Sequence, residues 1–132
     1  MKRVYFAHSM QIYGTRESRA AEIRVMRAFP GCRVLNPETL DWDAMTTRYG
    51  EGGAYWHVVR LCDVIVVLER RGHVGKGVFE EVRAARAQNK PVFVLRGTRL
   101  LPVGDAIRTA KGDWKERYGK LVLSNKTAPA LL

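Results

Sequence analysis

A chain of 132 residues is the usual size of one domain and buries roughly two-thirds of the surface its extended form exposes, so a core needs no covalent staple. Its 23 Lys and Arg against 13 Asp and Glu give a formal net charge of +10, which favours anionic partners: nucleic acid, nucleotide phosphates or an acidic protein. Cys32 and Cys62 lie outside any CxxC or Cys/His spacing, which leaves two core thiols and argues against a disulfide framework or a zinc site.

Met1-Lys2-Arg3 runs directly into Val4–Ala7, a short apolar stretch read as the first strand. It is too short for a signal peptide or a membrane span, so a cytoplasmic home without membrane contact is expected. A helix follows from about Ser18 to Phe29 and stops at Pro30-Gly31, with Ala21, Val25 and Phe29 on one face and Arg16, Arg24 and Arg27 on the other. Cys32 to Leu35 is the second strand, closed by Asn36-Pro37. Leu40 to Leu61 reads as helix, broken near Gly50-Glu51-Gly52-Gly53. Val64 to Leu68 is a continuous, mostly β-branched apolar run, the pattern of a strand covered on both faces in a parallel sheet. A glycine-bearing turn then leads into a helix from Val78 to Asn89. Pro91 to Leu95 repeats the buried-strand pattern, Gly104 to Lys111 reads as another helix, and Leu121 to Leu123 as a fifth strand. Repeats, low-complexity stretches and linkers are absent, so a single domain over 1–132 is expected.

Alternating strands and helices imply parallel pairing with right-handed crossovers. The expected fold class is therefore α/β: a three-layer, doubly wound parallel sheet of about five strands, flavodoxin-like or Rossmann-like. Such sheets bind ligands beyond the carboxyl ends of their strands. That rule selects the segments after Ala7, Leu35 and Leu68.

In the first of these, His8 to Arg16, Ser9, Thr15 and Ser18 can satisfy free N–H groups at a helix start, and Arg16 adds a charge suited to phosphate. An ordinary capped loop is the plain alternative. The second, Asn36 to Asp43, carries acids and Trp42 that could meet a base or a sugar hydroxyl. Acids in a first helical turn, favoured by the helix dipole, explain them more simply. The third, Gly72-His73-Val74-Gly75-Lys76-Gly77, lacks both the Walker pattern and the third glycine of GxGxxG, but permits close approach of a ligand to the backbone.

Beyond that turn, Val78, Val82 and Ala85 define the face packed on the sheet. At about 100° per residue, Glu80 lies roughly 170° from the middle of that stripe and Glu81 only roughly 70° away. Glu80 is thus expected in solvent and Glu81 over the cleft, where the helix start could keep it ionised and able to act as nucleophile or base. A carboxylate that merely stabilises the helix is the alternative reading.

Val4-Tyr5-Phe6-Ala7-His8-Ser9, Asn36-Pro37, Cys62 to Leu68, Gly77 to Ala85 and Asn89-Lys90-Pro91-Val92 together resemble the nucleoside 2-deoxyribosyltransferase superfamily, which includes the 2'-deoxynucleoside 5'-phosphate N-hydrolases. The resemblance covers about residues 3 to 95. It implies a flavodoxin-like fold and cleavage of an N-glycosidic bond, with Glu81 as nucleophile, Tyr5 orienting it and Ser9 near the 5'-hydroxyl or phosphate. It also implies homo-oligomers, for which Trp42, Tyr49, Tyr55 and Trp56 are candidate contacts, packing within the helices being the alternative. Two departures stand out: His8 occupies a position where glycine is usual, and Glu69-Arg70-Arg71-Gly72-His73 replaces an acid-containing Asp-Gly segment.

The expected site therefore has Glu81, Tyr5 and Asp43 as catalytic residues, with Glu69 and His73 as other donors to the leaving base. His8, Ser9, Arg16, Gly75, Lys76 and Gly77 bind the substrate, a nucleoside or, better suited to the charge, its 5'-monophosphate. Neither metal nor organic cofactor is required. A non-catalytic nucleotide-binding module and a basic nucleic-acid-binding domain remain the competing readings; scattered arginines without interleaved exposed aromatics weigh against the latter.

Overall fold

The computed structural model describes residues 2–111 and 117–124. Its strands are β1 (Arg3–Ala7), β2 (Arg33–Leu35), β3 (Val64–Val67), β4 (Val92–Arg96), β5 (Arg99–Arg108) and β6 (Gly119–Leu123), and its helices α1 (Arg16–Ala28), α2 (Trp42–Tyr49), α3 (Glu51–Arg60) and α4 (Lys76–Ala87). Single 3₁₀ turns at Met10–Ile12 and Pro37–Thr39 follow the first two strands.

Over the described residues the protein is α/β with a mixed sheet of six strands rather than about five, in the order β2-β1-β3-β4-β5-β6. β2, β1, β3 and β4 pair in parallel, as their apolar runs imply, while β5 and β6 are antiparallel additions at one edge. Alternate strand residues feed opposite faces. Val4, Phe6, Val64, Val66 and Phe93 pack with Ala21, Val25 and Phe29 of the α1 segment, whereas Tyr5, Ala7, Ile65, Val67 and Val94 pack with Val58 and Val59 of α3 and Val78, Val82 and Ala85 of α4. All four residues of β3 are buried, which requires its uninterrupted apolar composition.

Several boundaries differ from expectation. The long central helix breaks at Gly50 (φ +78°), and Gly52 and Gly53 lie inside α3. Helix α4 starts at Lys76, two residues before Val78, so Glu81 sits in its second turn instead of its first. Gly104 to Lys111 is not helix: residues through Arg108 belong to β5, bonded to β4 on one side and β6 on the other. Pro102 and Gly104 are poor helix formers, and Gly97 (φ +62°) supplies the two-residue hairpin that folds β5 back on β4. Cys62 is buried, whereas Cys32, entering the edge strand β2, is half-exposed; both are free thiols.

The β5–β6 hairpin also braces the glycine-bearing loop. Val74 and Gly119 exchange backbone hydrogen bonds of 2.9 and 3.0 Å, and the Phe79 and Tyr118 rings meet edge to face at 5.1 Å. Among the described residues no helix is long and apolar enough to cross a membrane.

Candidate functional site

The parallel strands reverse their winding between β1 and β3, which places a crevice at the carboxyl ends of those two strands. All three segments selected above meet there. A cavity of about 700 Å³ is lined by His8, Ser9 and Tyr13 after β1, by Trp42, Thr46 and Tyr55 of α2 and α3, and by Gly75 to Val78 and Glu81 of α4.

Glu81 belongs to the cavity lining although only 4% of its surface is exposed. The helix puts it one residue before Val82, which is fully buried against the sheet, so the carboxyl rests between core and cavity. Burial pushes its pKa up to about 8, opposed by the nearby Tyr5 hydroxyl. That approach does not amount to a full hydrogen bond: Tyr5 Oη and Glu81 Oε2 are both buried with no hydrogen-bond partner among the described residues. Burial, reinforced by the Glu81 charge, holds the Tyr5 phenol well above its usual range. Burial thus opposes the ionised form that the helix start was expected to favour. In the second turn Glu81 gains little from the helix dipole, which acts on the first turn, and desolvation dominates.

The walls are aromatic. Trp42 and Tyr55 meet at 5.8 Å between ring centroids, and Tyr13 closes the side formed by the segment after β1. Burial and the neighbouring Glu81 raise the pKa of both Tyr13 and Tyr55, so both phenols stay protonated. No side chain caps α4, whose first residues Gly75, Lys76 and Gly77 border the cavity. The Tyr55 hydroxyl stands 3.5 Å from where a Cβ on Gly77 would lie, so α3 and the start of α4 face each other closely at the cavity. Lys76 Nζ approaches Glu51 Oε1 at 3.7 Å, joining the starts of α4 and α3 at the rim.

The remaining residues singled out from sequence divide. His8 and Ser9 line the cavity, but both His8 ring nitrogens are engaged: Nδ1 with Phe6 O at 2.9 Å and Nε2 with Glu38 Oε2 at 2.7 Å. Ser9 Oγ accepts the Gln11 N–H at 3.1 Å. Arg16 heads α1 and Asp43 lies on the exposed side of α2, where Asp41 is the capping residue; neither lines the cavity. Glu69 is held by Arg96 at 2.9 and 3.2 Å, and His73 Nδ1 by Arg71 O at 3.0 Å in a tight hairpin whose Arg71 and Gly72 both have positive φ. Tyr49 stacks on His57 at 4.3 Å and Trp56 is partly exposed, both away from the cavity, whereas Trp42 and Tyr55 belong to its wall.

Sequence reasoning passed over Tyr13 as a wall residue and Glu38 as the partner of His8. Tyr13 follows a strand end, which is a usable signal; Glu38 is 30 residues from His8, and only the fold joins them. The described residues contain no group of three or more His, Cys, Asp or Glu able to hold a metal. No family model, no curated protein and no solved structure matches the chain.

Proposed function

We propose that the chain is a doubly wound, flavodoxin-like or Rossmann-like domain that cleaves the N-glycosidic bond of a nucleoside 5'-monophosphate, with Glu81 as its nucleophile. The observation that carries this reading is a buried carboxyl facing an aromatic-walled cavity with one oxygen, Oε2, left without a partner. A buried polar atom without a partner is costly, and it persists most readily where a ligand completes it. The family resemblance assigns the same residue independently of that burial.

In this reading the base rests among Tyr13, Trp42 and Tyr55, and the 5'-phosphate lies by Ser9, Lys76 and the uncapped start of α4. As the C1'–N bond breaks, its electron pair leaves with the base, and a Glu81 oxygen bonds to C1' as positive charge develops on the sugar. Tyr13 and Tyr55, both protonated, are two lining groups able to hydrogen-bond the departing base. Water then hydrolyses the ester, or a second base takes the sugar. Attack needs the anion of a carboxyl that titrates near 8, so turnover rises with pH toward about 8.

The second reading, a non-catalytic nucleotide-binding module, is favoured by the same titration: near neutral pH a protonated Glu81 can donate a hydrogen bond to a ribose hydroxyl. One experiment separates the two. Each 2'-deoxynucleoside 5'-monophosphate, its ribo counterpart and the free nucleosides are incubated with native protein and with Glu81→Gln, and released base is followed by chromatography. Release lost in the variant supports the N-glycosidase. Binding without release, retained in Glu81→Gln, transfers the assignment to the binding module.

A further inference from the structure

Glu38 is bound to two points of the main cavity wall. Its Oε2 faces His8 Nε2 at 2.7 Å, and its Oε1 accepts the Gly14 N–H at 2.6 Å. Between those two anchors run Ser9, Met10, Gln11 and Tyr13, all of which line the cavity. His8 itself is 3% exposed, stacked on Phe6 at 4.1 Å and touching Tyr13 at 5.0 Å. Its Nδ1 must donate, because Phe6 O can only accept. A single proton therefore lies between Nε2 and Glu38, whichever of the two carries it.

We propose that Glu38 is a positioning residue: by holding His8 and Gly14 at the two ends of the wall segment, it fixes Tyr13 over Glu81 and keeps that carboxyl out of water. The proposal rests on the reading of this cavity as the Glu81 site, but the clamp itself requires no ligand. Although burial opposes its charge, the hydrogen bonds from His8 and Gly14 hold Glu38 below the usual carboxylate range, as expected of an anion held in a fixed frame. Tyr13, beside the His8 ring, lines the same cavity as Glu81, and its phenol is raised by burial first and by the Glu81 charge second. The other titratable groups that feel Glu81 are Tyr5 of β1, Tyr55 of α3 and Cys62 ahead of β3.

The test is a carbon-13 titration of glutamate side-chain carboxyls in the free protein, the Glu81 signal being the one missing from Glu81→Gln. In Glu38→Ala the freed wall admits water and Glu81 titrates lower by about one unit or more. In Glu38→Gln it stays near its native position, because the amide oxygen still accepts from Gly14 and the amide NH₂ donates to a neutral His8. His8→Phe, which keeps the ring stack but loses one anchor, moves Glu81 in the same direction by less, and serves should Glu38→Ala not fold. A Glu81 titration within about 0.3 unit of native in a folded Glu38→Ala or His8→Phe protein overturns the clamp. So does an equal shift in Glu38→Gln, which traces the effect to lost charge. Base release is recorded alongside: its absence in the native protein sinks the N-glycosidase reading and leaves the titration result intact.

Discussion

Burying Glu81 has a stability consequence with a definite sign. In the unfolded chain its carboxyl releases its proton near the ordinary 4.5, whereas in the folded chain it keeps it to about 8. Below the lower value both forms are protonated and nothing is lost. Between the two, the folded state holds a proton that the unfolded state has shed, so stability falls as pH rises by up to about 1.4 kcal/mol per unit. Glu81→Gln removes the titration. It is therefore expected to gain stability over native between pH 5 and 9, by on the order of a few kcal/mol, with the gain levelling above about pH 8. Thermal unfolding of both proteins across that range checks this; a constant difference would refute the buried titration. A carboxyl retained against such a cost is characteristic of a functional site, where stability is traded for activity. Tyr5→Phe acts in the opposite sense to the clamp variants. The Tyr5 hydroxyl favours the Glu81 anion, so its loss raises the Glu81 pKa further and moves the rising limb of the pH–rate profile to higher pH.

At the scale of elements, α4 is placed by contacts on two sides. Val78, Val82 and Ala85 bury it on the sheet, while the β5–β6 hairpin meets Phe79 and ties down Val74 next to its start. Gly119 is the tight point. A Cβ there would come within 2.7 Å of the Phe79 ring and 3.0 Å of Ile107 O, and the backbone carbonyl cannot swing away. Gly119→Ala is expected to destabilise by about 1–3 kcal/mol, as overpacking does, and to loosen the Val74–Gly75 loop at the cavity. Denaturant melts and amide exchange at Val74 and Gly119 measure the two effects; unchanged exchange at both would show that the hairpin does not brace the loop. This dependence explains what the sequence disclosed and what it hid. Val64 to Leu68 was legible because a strand covered on both faces must be apolar throughout. Glu81 was legible because the helical period separates it from Glu80. The β5 strand is hidden because Gly104 to Lys111 has no strong alternation, and the extended conformation of residues 104–108 is set by pairing with β6. The start of α4 was misplaced because Gly77 has weak intrinsic helix preference, which tertiary packing overrides. The His8–Glu38 pair leaves no local trace, since each residue alone reads as loop polarity.

For the whole molecule, topology and charge act together. The strand order puts the cavity at the one place where the crossovers diverge, and the net charge of +10 surrounds it with a field that attracts anions. Within the lining, Lys76 contributes the lysine charge, so a monomeric phosphate would be steered by the general field more than by a dense cluster. Such attraction is screened, the Debye length falling from about 10 Å at 0.1 M salt to about 3 Å at 1 M. The affinity for a nucleoside 5'-monophosphate is therefore expected to fall several-fold between about 0.05 and 0.5 M salt, while that for the uncharged nucleoside stays constant. A long oligonucleotide bound through the scattered arginines would instead lose affinity with a much steeper logarithmic slope, one increment for each phosphate neutralised. Titrating the three ligands in parallel over that salt range separates the cases. Tight, steeply salt-dependent binding of the polymer with none of the monomer would mean that the charge serves nucleic acid and that the cavity is not its focus. A shallow slope for the monophosphate and weak polymer binding would mean that the field serves the cavity, with Glu81 at its floor.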